Sequence, residues 1–332
     1  MANDAVPQAP HRPWFRSPWG LALAYTLFIV LFGAVVRITG SGAGCGQHWP
    51  TCQGESLHLP RAVEEWIEYG HRITAGLGLL AVIGLTVGTF LKRERGDVAR
   101  FWAMTTLVAF IVESLLGAVL VKFGLVDKDD SIARAVVMAI HLVNTSVFTA
   151  GMLLCALATR SSARVRFRFE RTEKTFFVAG VLLLVVVSAA GAVTALGDTL
   201  YPMEEGQAAI EVARAAGSPT AHFLERVRGF HPLFAVAVAI FLVSATARLG
   251  RTNGARSRVL ILLFTQVLAG VVNVWLSAPP WMQVVHLALA NLLWLAWIAL
   301  GAESALQTEE TAPPRAAEPR TGGLQTTTGE VE

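Results

Sequence analysis

The chain contains 332 residues, of which 54% are hydrophobic and only 15% are charged, and its mean hydropathy is +0.53. Since a soluble domain carries about a quarter charged residues, this composition excludes a disordered chain and argues against a soluble enzyme. The net charge of +3 is too small for strong nucleic-acid binding, and the three cysteines are too few for a disulfide scaffold. The class of protein that remains is a membrane protein with several spanning helices of about 20 residues each.

Eight long apolar runs follow one another along the chain and predict eight transmembrane helices. They divide the chain into a short N-terminal tail (1–17), a first group of four runs (18–159), a basic linker (160–174), a second group of four (175–302) and a C-terminal tail (303–332). The C-terminal tail is rich in Thr, Glu, Pro and Gly, a composition that predicts disorder. The eight runs cover 18–38, 70–91, 101–122, 133–159, 175–197, 229–249, 257–277 and 281–302.

Basic residues in the connecting segments predict the orientation in the membrane. Fourteen Lys and Arg residues lie in or next to the second, fourth and sixth connections, whereas bases in the odd-numbered connections are offset by acidic residues. Because Lys and Arg accumulate on cytoplasmic loops, both termini are expected in the cytoplasm, with the protein in the inner membrane of the cell. The odd-numbered connections are then expected to face the outside.

The chain reads as two copies of a four-helix unit. An even number of spans per copy makes the two copies parallel in the membrane, related by an axis along its normal. The predicted fold is therefore an all-α membrane protein of two pseudo-symmetric four-helix bundles. The matching positions are Gly33-Ala34-Val35 with Gly191-Ala192-Val193, His71 with His231, Gly117 with Gly270, and His141-Leu142 with His286-Leu287.

Four histidines lie inside predicted helices, each in the first third of a run that enters from the outside. An ionisable group at that depth is costly and by default marks function. Neutral imidazole is a good iron ligand, and two imidazoles on facing helices can hold a haem from both faces. One such histidine alone is more often a core residue bonded to a carbonyl, but the repetition favours haem sites toward the outer face. The four are His71, His141, His231 and His286.

The connection after the first run is glycine-rich and contains Cys45 and Cys52, in TGSGAGCGQHWPTC (39–52). It faces the oxidising side of the membrane, where a disulfide is permitted. Two free thiols that lie close together are the alternative, and the disulfide is favoured. Its role stays open between shaping the loop over the first haem and accepting a reactive thiol.

Acidic residues distinguish the first copy from the second. Glu68 lies three residues before His71 and shares its helix face, whereas the matching position in the second copy is Arg228. An acid beside a ligand can move protons, and an arginine suits a haem propionate, so the first copy is predicted to carry the chemistry. The alternative for Glu68 is a capping or surface acid at a helix start. Glu113, whose counterpart is Gln266, is either a second functional acid or a structurally paired one.

The combination of GCGQHWPTC, EYGHR and the two HL histidines resembles the haem A synthase family over residues 18–302. That resemblance implies oxidation of the C8 methyl group of haem O to the formyl group of haem A, for cytochrome oxidase assembly. It implies that the four histidines are axial ligands, that Cys45 and Cys52 are the family's loop pair and that Glu68 is catalytic. It also implies haem b in the second half and haem O, the substrate, in the first. The third outer connection lacks the second cysteine pair that some members have.

Two other classes of protein fit part of this pattern. A membrane cytochrome b for electron transfer explains four histidines, but neither the contrast between Glu68 and Arg228 nor the cysteine loop. A haem carrier would release its haem without oxidising it. The resemblance implies haem O synthase and cytochrome oxidase assembly factors as partners beside the lipid bilayer, and it leaves the electron donor unnamed.

Overall fold

The computed structural model describes residues 13–55, 58–160, 165–167, 169–203, 208–249 and 252–308. Within these ranges eight helices are long and apolar enough to cross a membrane, which confirms the predicted all-α membrane fold. These helices are α1 (Pro18–Ile38), α2 (Val63–Lys92), α3 (Val98–Lys122), α4 (Ile132–Ala158), α5 (Arg171–Leu200), α7 (Phe223–Leu249), α8 (Asn253–Trp275) and α9 (Pro280–Ala305), and a shorter helix, α6 (Ala208–Gly217), precedes α7.

Several helices extend beyond the apolar runs that predict them. α2 begins at Val63 rather than at 70, and α7 begins at Phe223 rather than at 229. The added turns carry charged residues, so hydropathy alone places these helix starts too late. The unpredicted α6 lies in the connection between α5 and α7, where Glu211 and Arg214 interrupt any apolar run.

The two predicted polar segments are partly ordered. α9 continues to Ala305 rather than ending at 302, and a strand, β2 (Leu306–Thr308), follows it. β2 pairs antiparallel with β1 (Val165–Phe167), which lies inside the basic linker. The first six residues of the C-terminal tail are therefore structured, contrary to the prediction of disorder from 303. Residues 1–12 and 309–332 lie outside the described residues.

Each group of four helices closes into a ring. α1 and α3 each pack on both α2 and α4, and in the second group α5 and α8 each pack on both α7 and α9. The two rings meet where α4 contacts α5 and α9, and where α1 contacts α9. Across this boundary Trp294 Nε1 donates to the carbonyl of Ser146 at 3.0 Å. The repeated packing is consistent with the two pseudo-symmetric bundles expected from the sequence.

Polar side chains determine where several helices begin. Ser17, Ser131 and Thr252 each accept a hydrogen bond from a backbone N–H three residues on, at the starts of α1, α4 and α8. Asp97 does the same for Ala99 at the start of α3. Such caps satisfy donors at a helix start that have no partner within the helix.

One end of the molecule gathers helix ends from both halves. Arg37, in the last turn of α1, donates to the carbonyl of Ala195 on α5 at 2.6 Å and to Gln283 Oε1 on α9 at 3.1 Å. Tyr201, just after α5, donates to Asp130 Oδ2, just before α4, at 2.5 Å. We call this the loop end: the end at which α1 and α5 finish and α4 and α9 begin.

Candidate functional site

The structure brings the four predicted histidines together in two pairs, one in each half. All four lie in the first half of their helices, near the loop end, and all are half-buried. His71 on α2 and His141 on α4 are close enough to interact electrostatically, as are His231 on α7 and His286 on α9. A pair of imidazoles on facing helices is the arrangement that grips a haem from both faces.

The ring nitrogens provide a test of whether these histidines fit that role. Among the described residues, the Nδ1 atoms of His71, His141, His231 and His286 are all buried and have no hydrogen-bond partner. Buried polar atoms are normally paired, so a core histidine bonded to a carbonyl does not describe these side chains. Half-buried imidazoles whose Nδ1 has no hydrogen-bond partner among the described residues fit axial ligands of iron.

Glycines on neighbouring helices make room for three of the rings. A Cβ added at Gly33 on α1 would lie 3.2 Å from Cε1 of His71, and one at Gly191 on α5 would lie 3.1 Å from Cε1 of His231. A Cβ added at Gly270 on α8 would likewise lie 3.2 Å from Cε1 of His286 on α9. Sequence analysis used these glycines only to align the two copies, whereas the structure shows that they pack against the histidine rings.

We expect Gly191→Val to displace the His231 ring and to lower the haem content of the second half alone. Gly33→Val should produce the matching loss in the first half, because valine adds bulk where even one carbon is too close. Haem bound per chain, measured by the pyridine haemochrome spectrum, reports both losses. Gly84→Val is the control, since a Cβ at Gly84 on α2 meets nothing within 4 Å. Equal haem contents in all three variants would contradict the packing role.

A compact loop, residues 39–55, covers the start of α2, and we call it the disulfide loop. Cys45 and Cys52 are bonded to each other within it, and both side chains are fully buried. Gly44 lies directly on the first turn of α2, where an added Cβ would stand 2.6 Å from the carbonyl oxygen of Glu64. Only a glycine therefore allows the loop to approach the helix this closely.

Glu68 connects the disulfide loop to α2. Its side chain is buried, Oε2 accepts a hydrogen bond from the backbone N–H of Cys45 at 2.7 Å, and Oε1 pairs with Arg72. Arg72 in turn donates to the carbonyls of His48 and Thr51, both at 2.6 Å. A capping or surface acid is thereby excluded. Sequence analysis missed Arg72, although its spacing of four residues from Glu68 is that of a helical ion pair.

We predict that Cys45 and Cys52 resist alkylation in unreduced membranes and become labelled after reduction. Both lie in the disulfide loop with no exposed surface, so the labelling is done after denaturation, when access no longer limits it. The buried Cys155 is the internal control for a free thiol. Two labelled loop cysteines in unreduced, active membranes would contradict the pairing.

The second half replaces this acidic arrangement with a basic one. Arg228 on α7 places Nε 2.8 Å from Asp198 Oδ1 on α5, and both side chains are buried. Its Nη2 donates to the carbonyls of Gly197 and Tyr201, at 2.8 and 2.6 Å. Arg228 therefore ties the start of α7 to the end of α5. Its pairing with a haem propionate stays a prediction, and its partner Asp198 was missed by sequence analysis.

Glu113 and Gln266 occupy matching places beside the ligand candidates of α4 and α9. Glu113 on α3 lies with Oε1 3.5 Å from Nδ1 of His141. Gln266 on α8 lies with its Nε2 3.2 Å from Nε2 of His286. The first half thus has a carboxylate where the second has a neutral amide.

Comparisons with known proteins show the family to which the chain is similar. The family model COX15-CtaA, described as a cytochrome oxidase assembly protein, matches residues 19–298. A protein of Thermus thermophilus named Protoheme IX farnesyltransferase is 40% identical over 295 residues, which are 87% of this chain but 48% of that protein. The chain thus spans about half that relative's length. The Heme A synthase of Bacillus licheniformis is 27% identical over 75% of this chain and 82% of its own length, and that of Shouchella clausii is 34% identical over 41% and 43%.

Proposed function

Since the chain belongs to the COX15-CtaA family of cytochrome oxidase assembly proteins, we propose that it is a haem A synthase. It oxidises the C8 methyl group of haem O to the formyl group of haem A. The observation that carries this proposal is the difference between two otherwise matching halves: each pairs two histidines, but only the first adds a disulfide loop held by buried Glu68. The relatives named Heme A synthase support it.

The two histidine pairs have different occupants in this proposal. His231 and His286 hold haem b, a permanent cofactor, while His71 and His141 receive haem O. When bound, the haems supply the redox chemistry of iron. The support from the structure is that, in the part of the chain that it describes, all four imidazoles are half-buried, have no hydrogen-bond partner at Nδ1 and lie near the loop end.

Glu68 is the residue that we assign to proton handling. Conversion of a methyl to a formyl group is an oxidation that removes hydrogen from the carbon and adds oxygen to it, so protons must be moved at the site whichever oxidant accepts the electrons. Glu68 lies one helical turn before His71, and Arg72 together with the Cys45 amide compensates its charge. A carboxylate held in this way is suited to accept and pass on protons, while the disulfide loop covers the site and limits access of water.

A haem O synthase is the proposed partner in the membrane. The Thermus relative is named for an enzyme that transfers a farnesyl group to protohaem IX, and this chain matches about half of its length. Haem O is the farnesylated haem that such an enzyme provides. A haem O synthase and this chain are suited to pass haem O between them, because the product of the first is the proposed substrate of the second. Cytochrome oxidase assembly factors are the proposed recipients of haem A.

The proposed location is the inner membrane of the cell, with both termini in the cytoplasm and the loop end outside. Lys92, Arg93 and Arg160 lie at the end opposite to the loop end, in keeping with the accumulation of basic residues on cytoplasmic loops. The bonded cysteines lie at the other end, where the environment is oxidising.

Extraction of the haems tests the function. Membranes that contain this chain and a supply of haem O should yield haem A. A cytochrome b would hold two haem b and leave haem O unchanged.

A further inference from the structure

We propose that Glu113 is a positioning residue that accepts a hydrogen bond from the Nδ1–H of His141 and thereby strengthens His141 as an iron ligand. The proposal rests on the proposed function in one respect, the assignment of His141 as a haem ligand. It goes further in assigning the first half a second functional carboxylate, on a different helix from Glu68. This carboxylate acts through the ligand rather than on the substrate.

The carboxylate is aimed at the helix that bears the ligand. Oε2 of Glu113 accepts a hydrogen bond from Asn144 Nδ2 at 2.6 Å, and Oε1 accepts one from the Thr145 hydroxyl. Asn144 and Thr145 lie about one turn beyond His141 on α4, so both donors and the ligand share a face of that helix. Oε1 is also the atom that lies 3.5 Å from His141 Nδ1. Two donors from α4 thus hold the carboxylate from α3, and the ring of His141 lies beside the same carboxylate.

Glu113 is the acceptor that lies nearest to where the Nδ1 proton of His141 would need one. Nδ1 of His141 is buried without a hydrogen-bond partner among the described residues, and a buried donor in that state is costly. The distance of 3.5 Å exceeds a normal N–H···O bond by a few tenths of an ångström. Gly117, one turn along α3 from Glu113, leaves open space within 4 Å of an added Cβ. The contact with a glycine that the other three rings make is therefore missing at Gly117.

The contact between Glu113 and His141 differs from the matching contact in the second half. Among the described residues, His141 is the one ligand candidate of the four with a carboxylate within ion-pair distance. At the matching place Gln266 presents an amide nitrogen to Nε2 of His286, and its Oε1 is buried without a partner. A carboxylate on the outer nitrogen of a ligating histidine fixes the tautomer and makes the ligating nitrogen more basic. His141, with Nδ1 directed at Glu113, then offers Nε2 to iron as a stronger donor than its counterpart, which favours ferric over ferrous iron in the first half.

The test compares Glu113→Gln with the reciprocal variant Gln266→Glu in the full-length, haem-loaded protein. Glutamine keeps the size of Glu113 and an oxygen that accepts from Thr145, so the link between α3 and α4 persists while the charge is removed. Redox titration followed by optical spectroscopy resolves the midpoint potentials of the two haems, and electron paramagnetic resonance reports the ligand field of each. We expect Glu113→Gln to raise one of the two potentials, to leave the other unchanged and to weaken ferric haem binding in that half by roughly 10-fold. Gln266→Glu should lower the other potential.

The outcomes separate this proposal from the proposed function. Wild-type potentials and spectra in both variants would show that Glu113 only links α3 to α4, and would overturn the proposal even if haem A is formed. If Glu113→Gln does not fold, Glu113→Asp, which keeps the charge but shortens the reach of the carboxylate toward His141 Nδ1, takes its place, and wild-type potentials and spectra in that variant overturn the proposal equally. A wild-type chain that binds a single haem would overturn both the proposal and the proposed function. Opposite shifts in the two variants would support the proposal even in a chain that does not oxidise haem O.

Discussion

Replacement of Glu68 by glutamine is expected to reduce haem A to a trace while haem b remains in the second half. Glutamine keeps an oxygen that accepts from the Cys45 amide, so the disulfide loop stays attached, but it removes the charge that pairs with Arg72. Proton-transfer groups of this kind contribute ~10²–10⁴-fold in rate. Haem O or a partly oxidised haem should therefore accumulate, as measured by chromatography of the extracted haems.

Two further variants separate catalysis from loop anchoring. Glu64→Gln changes an exposed acid one turn earlier on α2 and should leave haem A at the wild-type amount. Cys45→Ser releases the disulfide loop while Glu68 keeps its charge. If Glu68 acts only as an anchor, Cys45→Ser should be the more damaging change. A wild-type yield of haem A from Glu68→Gln would refute the proton-handling role and leave Glu68 as an anchor of the loop.

The second large effect is expected from the ligands of the second half. His231→Ala or His286→Ala should remove nearly all haem b from the purified protein, because each deletes one of two axial ligands. Neither ring donates a hydrogen bond from Nδ1 to any of the residues that the structure describes, so its loss leaves none of their carbonyls without a donor, and the chain should still insert and fold. Haem content per chain and the optical spectrum measure the result.

A matched control lies in the same half. His222 precedes α7, stacks on Tyr201 with ring centroids 5.0 Å apart and lies outside the ring of four spanning helices. His222→Ala removes an imidazole of the same kind without touching the proposed ligands and should retain haem b. Full haem b content in His231→Ala would contradict the ligand assignment.

The spanning helices were predictable because a single physical quantity, the length of apolar chain, determines them. The starts of α2 and α7 were not, because their first turns are polar and are stabilised by contacts with loops rather than by lipid. Arg72 for the disulfide loop and Asp198 for Arg228 illustrate the same limit. A buried ion pair depends on which helix ends meet in space, and hydropathy does not contain that information.

The pairing of the histidines was predictable for a different reason. An internal repeat places each proposed ligand at a similar position on a matching helix, so His71 with His141 and His231 with His286 follow from symmetry once the two copies are aligned. The difference between Glu113 and Gln266 was also visible in the alignment. Its consequence required the structure, because only the distance from Glu113 to His141 Nδ1 shows that the acid faces the ligand.

Chromatography of haems extracted from membranes that co-express this chain with a haem O synthase tests the central claim most directly. We predict that haem O, the only farnesylated haem in membranes with the synthase alone, is converted to haem A when this chain is present, and that the purified chain also holds haem b. Undiminished haem O together with two haem b per chain would contradict the claim and identify an electron-transfer cytochrome instead. Haem O that is bound and released without oxidation would contradict it equally and identify a carrier.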